Sequence, residues 1–249
     1  MNEQPILEAR KLNKAFGSLS VTRDVDMSLM RGERRALIGP NGAGKTTFVN
    51  LLSGRFAPSS GSILLGGADV TRADEARRSK LGIGRTFQIT SLFPLLTAHK
   101  NVFLALAETA GVGFDMLRCA SSYASLHDRA DQLLDQVGLS SQAETPVQRL
   151  PYGQQRLIEI AIALALEPKV LLLDEPAAGI PTAERDVILD IIEALPGDIA
   201  VLLIDHDMDL VFRFAQRITV LVHGAVLVEG SPTEIAANQD VRDVYLGEK

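Results

Sequence analysis

The stretch RALIGPNGAGKTTFVNLLSG, residues 35–54, leaves little freedom to whatever fold surrounds it. An apolar run ends at Ile38, three glycines follow at 39, 42 and 44, and an apolar-periodic segment restarts at Lys45. This reads as a buried strand, a tight loop and a helix. Glycines let successive backbone N–H groups turn inward, and a helix starting directly behind them adds partial positive charge. The product is a cradle for an anion. Its spacing matches G-x-x-x-x-G-K-[ST]. Gly39, Pro40, Asn41, Gly42, Ala43 and Gly44 are therefore predicted to wrap nucleotide phosphates. Lys45 is predicted to reach the β/γ oxygens and Thr46 to ligate Mg²⁺, with Thr47 beside them in the first helical turn. A glycine turn with no ligand is the plain alternative; the position between strand and helix favours the phosphate site.

Two further segments share one design. KVLLLDEP (169–176) and IAVLLIDHD (199–207) are continuous apolar strands that end in acids. The helix between them, AERDVILDIIEAL, places Val187, Ile188, Ile191, Ile192 and Leu195 on one stripe. Strand, helix and strand with fully apolar strands predict a parallel sheet in an α/β core. Asp174 at the end of the first strand is suited to hold Mg²⁺ through water, and Glu175 to polarise an attacking water. A solvated strand end is the bland reading of two such acids, which the phosphate loop upstream makes the weaker one. RITVLVHGAVLVEG (217–230) reads as a hairpin turning at His223-Gly224. ILEARKLNKAF and VDMSL alternate as strands of a second, antiparallel sheet, and roughly 89–150 is helical in pattern. Arg72, Arg77, Arg78, Lys80 and Arg85 read as a solvated basic face. His99, His127 and His223 show no metal-ligand spacing and are expected to be structural.

Charge narrows the partners. With 25 Lys plus Arg against 31 Asp plus Glu, the net charge is −6, which argues against a nucleic-acid binder that works by neutralising phosphates with a basic face. A single cysteine, Cys119, permits no internal disulfide and points to a reducing compartment. The opening MNEQPILEARKLNK lacks a secretory leader's basic-then-apolar pattern, and no run of about 18 apolar residues is uninterrupted. The expectation is a cytoplasmic protein that reaches a membrane only through partners.

Small-molecule kinases and GTPases share the phosphate loop, but a GTPase should carry N-K-x-D, and NKAF at 13–16 is not that motif. Neither class explains LPYGQQR at 150–156, a Gly-Gln-Gln helix start just ahead of the second acidic strand. With these elements in this order over nearly its whole length, the chain resembles the ATP-binding subunits of ABC transporters. RTFQITSLFPLLTAHKNV, YGQQRLIEIA, DEPAAGI and the tail VRDVYLGEK are similar to the ATPases of branched-chain amino-acid and urea-type uptake systems.

The resemblance implies an ABC ATPase fold: a P-loop, RecA-like parallel-sheet core (1–88 and 167–230) with an N-terminal antiparallel β subdomain. It also implies an inserted α-helical subdomain at 89–166 and a C-terminal tail at 231–249. It implies ATP and Mg²⁺ as cofactors. Phe16 would stack on adenine, a reading favoured over the alternative of an ordinary core aromatic. Gln88 would serve metal and water, and His206 would act with Glu175. Two subunits would meet head to tail, so that Pro151, Tyr152, Gly153 and Gln154 touch the nucleotide held by the other. The family's signature is LSGGQ, and here Pro151 stands where its serine donates a hydroxyl. Pro181 likewise stands where an aspartate is usual. Both departures affect what this chain gives to the opposite site, so the expected partner is a second, different ATP-binding subunit. Two transmembrane permease subunits, and indirectly a periplasmic solute-binding protein, complete the expected assembly on the inner face of the cell membrane. Its expected cargo is a small polar solute. An exporter or lipid-extraction ATPase, a soluble ABC-type ATPase and a non-catalytic nucleotide clamp are the competing readings.

Overall fold

The computed structural model describes residues 4–86, 92–113, 119, 122–180 and 182–246. Its contacts divide the chain into two compact units, one of residues 1–85, 169–175 and 196–249, the other of 86–168 and 176–195.

The first unit holds two sheets. In the antiparallel one, β1 (Leu7–Phe16) lies between β2 (Leu19–Leu29) and β4 (Ser60–Leu65), and β5 (Ala68–Asp69) pairs with β4. The second sheet contains β3 (Arg34–Ile38), β6 (Ile83–Arg85), β7 (Val170–Asp174), β8 (Ala200–Ile204), β9 (Arg217–Val222) and β10 (Ala225–Gly230), in the order β10-β9-β3-β8-β7-β6. All its pairings are parallel except the β9–β10 hairpin, which turns at the expected His223-Gly224. Every residue of β7 and β8 is buried, which is why both read as unbroken apolar runs. Leu37 pairs with Ile204, and Ile204 with Asp174. The carboxyl ends of β3, β8 and β7 are therefore level, and the segments that leave them share one edge.

Between the sheets' strands run α1 (Lys45–Ser53), α2 (Glu75–Leu81) and α7 (Met208–Phe214), with α8 (Pro232–Ala237) and α9 (Gln239–Leu246) at the end. Leu7, Leu29, Leu37, Phe48, Leu52, Ile63, Leu172 and Leu202 belong to one buried cluster that fastens α1 to both sheets. Caps set the helix limits. Asp74 accepts from the Arg77 amide ahead of α2, and Ser231 with Glu234 forms a reciprocal capping box around Pro232.

The second unit packs α3 (Ala98–Thr109), α4 (Ala124–Gln136), α5 (Tyr152–Ala165) and α6 (Thr182–Glu193). The buried stripe of α6 differs from the sequence expectation: Ile188, Leu189 and Ile192 are buried and Val187 is half exposed. The face is rotated because α6 packs on α5 within this unit. His99 is buried in α3, with its ring stacked 5.1 Å from that of His127. Among the described residues no helix is long and apolar enough to cross a membrane.

Candidate active site

The loop after β3 is shaped by close approach. A Cβ on Gly39 would stand 2.0 Å from the Leu221 carbonyl oxygen, and one on Gly44 would stand 2.7 Å from that of Val21. Both glycines also take left-handed backbone angles, φ +152° and +99°, so no other residue fits either place without moving backbone. The hairpin tip closes the loop from behind. The Gly224 amide donates to the Ala43 carbonyl at 2.9 Å, the Arg23 amide donates to the Gly224 carbonyl at 2.7 Å, and Arg23 Nε reaches the His223 carbonyl at 2.9 Å. Gly44 caps α1, whose first turn contains Lys45, Thr46 and Thr47. The amides of a first turn lack intrahelical acceptors and point outward with the positive end of the helix dipole. Lys45 Nζ folds back to donate to the carbonyls of Gly39 at 2.6 Å and Pro40 at 3.0 Å. The cation is thus stored at the loop whose phosphates it is suited to meet.

One strand over, Asp174 is only 2% exposed. Arg85 Nη2 lies 3.2 Å from its Oδ2, while its Oδ1 is buried without a hydrogen-bond partner among the described residues. Burial pushes this carboxyl above its ordinary range, and the Arg85 guanidinium pulls it back. A buried carboxylate with one vacant oxygen is chemically fitted to a cation or its water shell. Glu175 follows with φ +48°, an unusual angle for a side-chain-bearing residue, and its amide donates to the Ile204 carbonyl at 2.8 Å. That turn leaves its carboxylate one-third exposed, 3.7 Å from His206 Nδ1. Beneath them Asp205 is 4% exposed and accepts from the amides of His206 at 2.8 Å and Asp207 at 3.0 Å. Burial raises the Asp205 carboxyl, and those two amides oppose the shift.

Phe16, at the end of β1, is 45% exposed. It meets Phe56 edge-on at 5.5 Å, with Lys14 Nζ 5.0 Å from its ring centre. It is therefore available for stacking and is not a core side chain. In the second unit, exposed Pro151 is the N-cap of α5 with no side-chain cap. The Tyr152 hydroxyl accepts from Arg156 Nη2 at 2.5 Å, and Arg156 Nη1 donates to Glu159 Oε2 at 2.7 Å. Gly153 is buried and Gln154 partly so. Gln88 and Pro181 lie outside the described residues.

Two arginines contradict the sequence reading of a solvated basic face. Arg78 is 0% exposed, and the Arg85 side chain is 6% exposed. Arg85 sits at the carboxyl end of a parallel strand, a position that would have marked it. Asp205 was likewise missed in the run of polar residues DHD that follows β8.

A braced glycine loop, a helix tip and a strand-end carboxylate on one sheet edge define a P-loop nucleotide-binding domain. Residues 22–178 match the model of the family described as ABC transporter, and residues 225–249 match that of the branched-chain amino acid ATP-binding cassette transporter. The high-affinity branched-chain amino acid transport ATP-binding protein LivG of Escherichia coli K12 is 36% identical over 98% of this chain and 99% of its own. BraF of Pseudomonas aeruginosa, carrying the same description, has the same identity and coverage. A solved ATP-binding cassette of an ABC transporter in its ADP conformation superimposes with a TM-score of 0.86, at 26% identity, over 98% of this chain and 100% of that one. The chain belongs to the ABC transporter family of ATP-binding cassettes, and it is an ATPase.

Proposed function

We propose that this chain is the ATP-hydrolysing subunit of a membrane importer for branched-chain amino acids or a similarly small polar solute. The match of residues 225–249 to the branched-chain family, beside relatives of that description, carries the choice of cargo. In this reading the loop amides of 39–44 and the tip of α1 bind the phosphates, Lys45 swings from its loop carbonyls onto them, and Phe16 stacks on adenine. Thr46, Asp174 and Gln88 would hold Mg²⁺, and the vacant, buried Oδ1 of Asp174 supports that assignment. When bound, the metal would screen charge on the phosphates. Glu175 orients and deprotonates the attacking water, and His206 steadies that carboxylate. Co-purification with membrane subunits, followed by reconstitution in vesicles, tests the reading. Leucine, isoleucine or valine with a binding protein is expected to stimulate ATP turnover and to enter in step with it. Turnover indifferent to every small polar solute tried would count against import.

The partner ATPase is proposed to be a different chain. Pro151 brings neither an N–H nor a hydroxyl to the tip of α5, so a phosphate facing that tip lacks one charge-assisted hydrogen bond. Such bonds are worth about 1.5–3 kcal/mol. Pro151→Ser is therefore expected to raise turnover at the partner's phosphate loop by about tenfold, read by single-turnover assays in complexes whose other site is disabled. An unchanged rate would mean the serine hydroxyl is not what this interface lacks. In this proposal the assembly sits on the cytoplasmic face of the membrane, held there by its permease subunits.

A further inference from the structure

Arg85 ties together two of the elements proposed to hold the divalent cation, α1 and β7. Its Nη1 donates to Asn50 Oδ1 at 2.6 Å and to Ser53 Oγ at 3.2 Å, both on α1, while its Nη2 reaches Asp174 Oδ2 on β7. Thr46 is carried by the first turn of that same α1. The guanidinium is a planar fork, so contacts on its two arms fix a plane as well as a distance. It engages one Asp174 oxygen and leaves Oδ1 without a partner among the described residues, so a cation or its water need not displace the arginine. We propose that Arg85 is a positioning residue for the divalent cation that accompanies the nucleotide, and that it sets the site's preference for magnesium over calcium. The inference rests on the nucleotide site proposed above.

The preference follows from rigidity. Mg²⁺ demands near-octahedral geometry at about 2.0–2.1 Å, whereas Ca²⁺ accepts six to eight oxygens at about 2.3–2.6 Å in flexible arrangements. A carboxylate held by one oxygen to a fork that is itself fastened to α1 keeps a set spacing from that helix, which favours the stricter ion. Removing Arg85 also removes a positive charge, which alters the affinity of any cation. Both ions carry the same charge, however, so most of that effect cancels in their ratio, and the lysine variant, which keeps the charge, isolates the positioning.

The test is fluorescent-ADP binding to the full chain with Mg²⁺, with Ca²⁺ and with EDTA, for wild type, Arg85→Gln and Arg85→Lys. Second-sphere changes of this kind alter metal affinity by about 10–100-fold, so the magnesium-to-calcium ratio is expected to fall about tenfold in both variants. The lysine variant retains the charge and loses only the fork; should the glutamine variant fail to fold, it gives the same reading. An unchanged ratio in a folded variant overturns the positioning role and leaves Arg85 a buried ion pair that merely steadies β6. Wild type that binds no nucleotide in a divalent-dependent way would instead overturn the nucleotide site itself.

Discussion

Glu175→Gln is expected to cut ATP turnover at this chain's own phosphate loop by about 100-fold or more, while leaving ATP binding within a few-fold of wild type. General-base catalysis contributes about 10²–10⁴ in rate, and glutamine keeps the shape of glutamate without its capacity to accept a proton. The local structure singles out this residue. Its left-handed turn, pinned by the hydrogen bond its amide donates to the Ile204 carbonyl, holds the side chain near His206 while Asp174 beside it stays buried. A left-handed angle at such a residue costs of order 1 kcal/mol, a strain that sites retain where the side chain must be aimed. Single-turnover hydrolysis and fluorescent-ATP titration separate the two effects. A loss below tenfold would place the base elsewhere. Lys45→Ala serves as the contrast, since it should weaken binding itself. In the proposed heteromeric complex, the same change in the partner is expected to cost less overall than it does here; equal losses would argue for two equivalent sites.

The second large effect concerns stability. Arg78 is wholly buried, and its guanidinium donates to the carbonyls of Leu51 at 2.6 Å, Leu52 at 2.8 Å, Thr71 at 2.9 Å and Ala73 at 3.0 Å. Two of these belong to the last turn of α1, where carbonyls lack intrahelical donors and a cation is favoured. Burial lowers the affinity of the guanidinium for its proton, with Asp69 opposing. Arg78→Ala removes all four of these hydrogen bonds and leaves a cavity, against which stands only the relief of a desolvated charge. A net loss of about 3 kcal/mol is expected, read as a shift in urea midpoint at unchanged slope. Lysine places a point charge where a fork spans four acceptors, so Arg78→Lys is expected to recover less than half. Full recovery would show that charge alone matters at the end of α1.

These two arginines mark where the sequence stops being readable. The phosphate loop was legible because its glycines answer to backbone sterics, which are local. The apolar runs of β7 and β8 were legible because burial on both faces leaves a continuous pattern. The hairpin was legible from His223-Gly224. Arg78 and Arg85 stand in a run of charges that looks like a solvated surface, and what buries them comes from elsewhere: carbonyls of α1 more than 20 residues away for one, a carboxylate 89 residues away for the other. Only the Thr71 and Ala73 carbonyls lie in a local window with Arg78, and nothing in their sequence marks them as acceptors. Val187 failed for a related reason, because the face a helix buries is chosen by its neighbours. Phe16 was ambiguous between core and surface until its exposure decided it.

The bond between Arg23 and the His223 carbonyl joins positions 200 residues apart, and with the Gly224 contacts it backs the phosphate loop. Ribosomes add about 5–20 residues per second, so about 10–40 s separate the appearance of these partners. During that interval the growing chain displays a glycine loop with no wall behind it. In the proposed site, competence to capture ATP is thereby deferred until residue 224 has been made, and a product broken off before that point gains little protection from a cellular pool of that ligand.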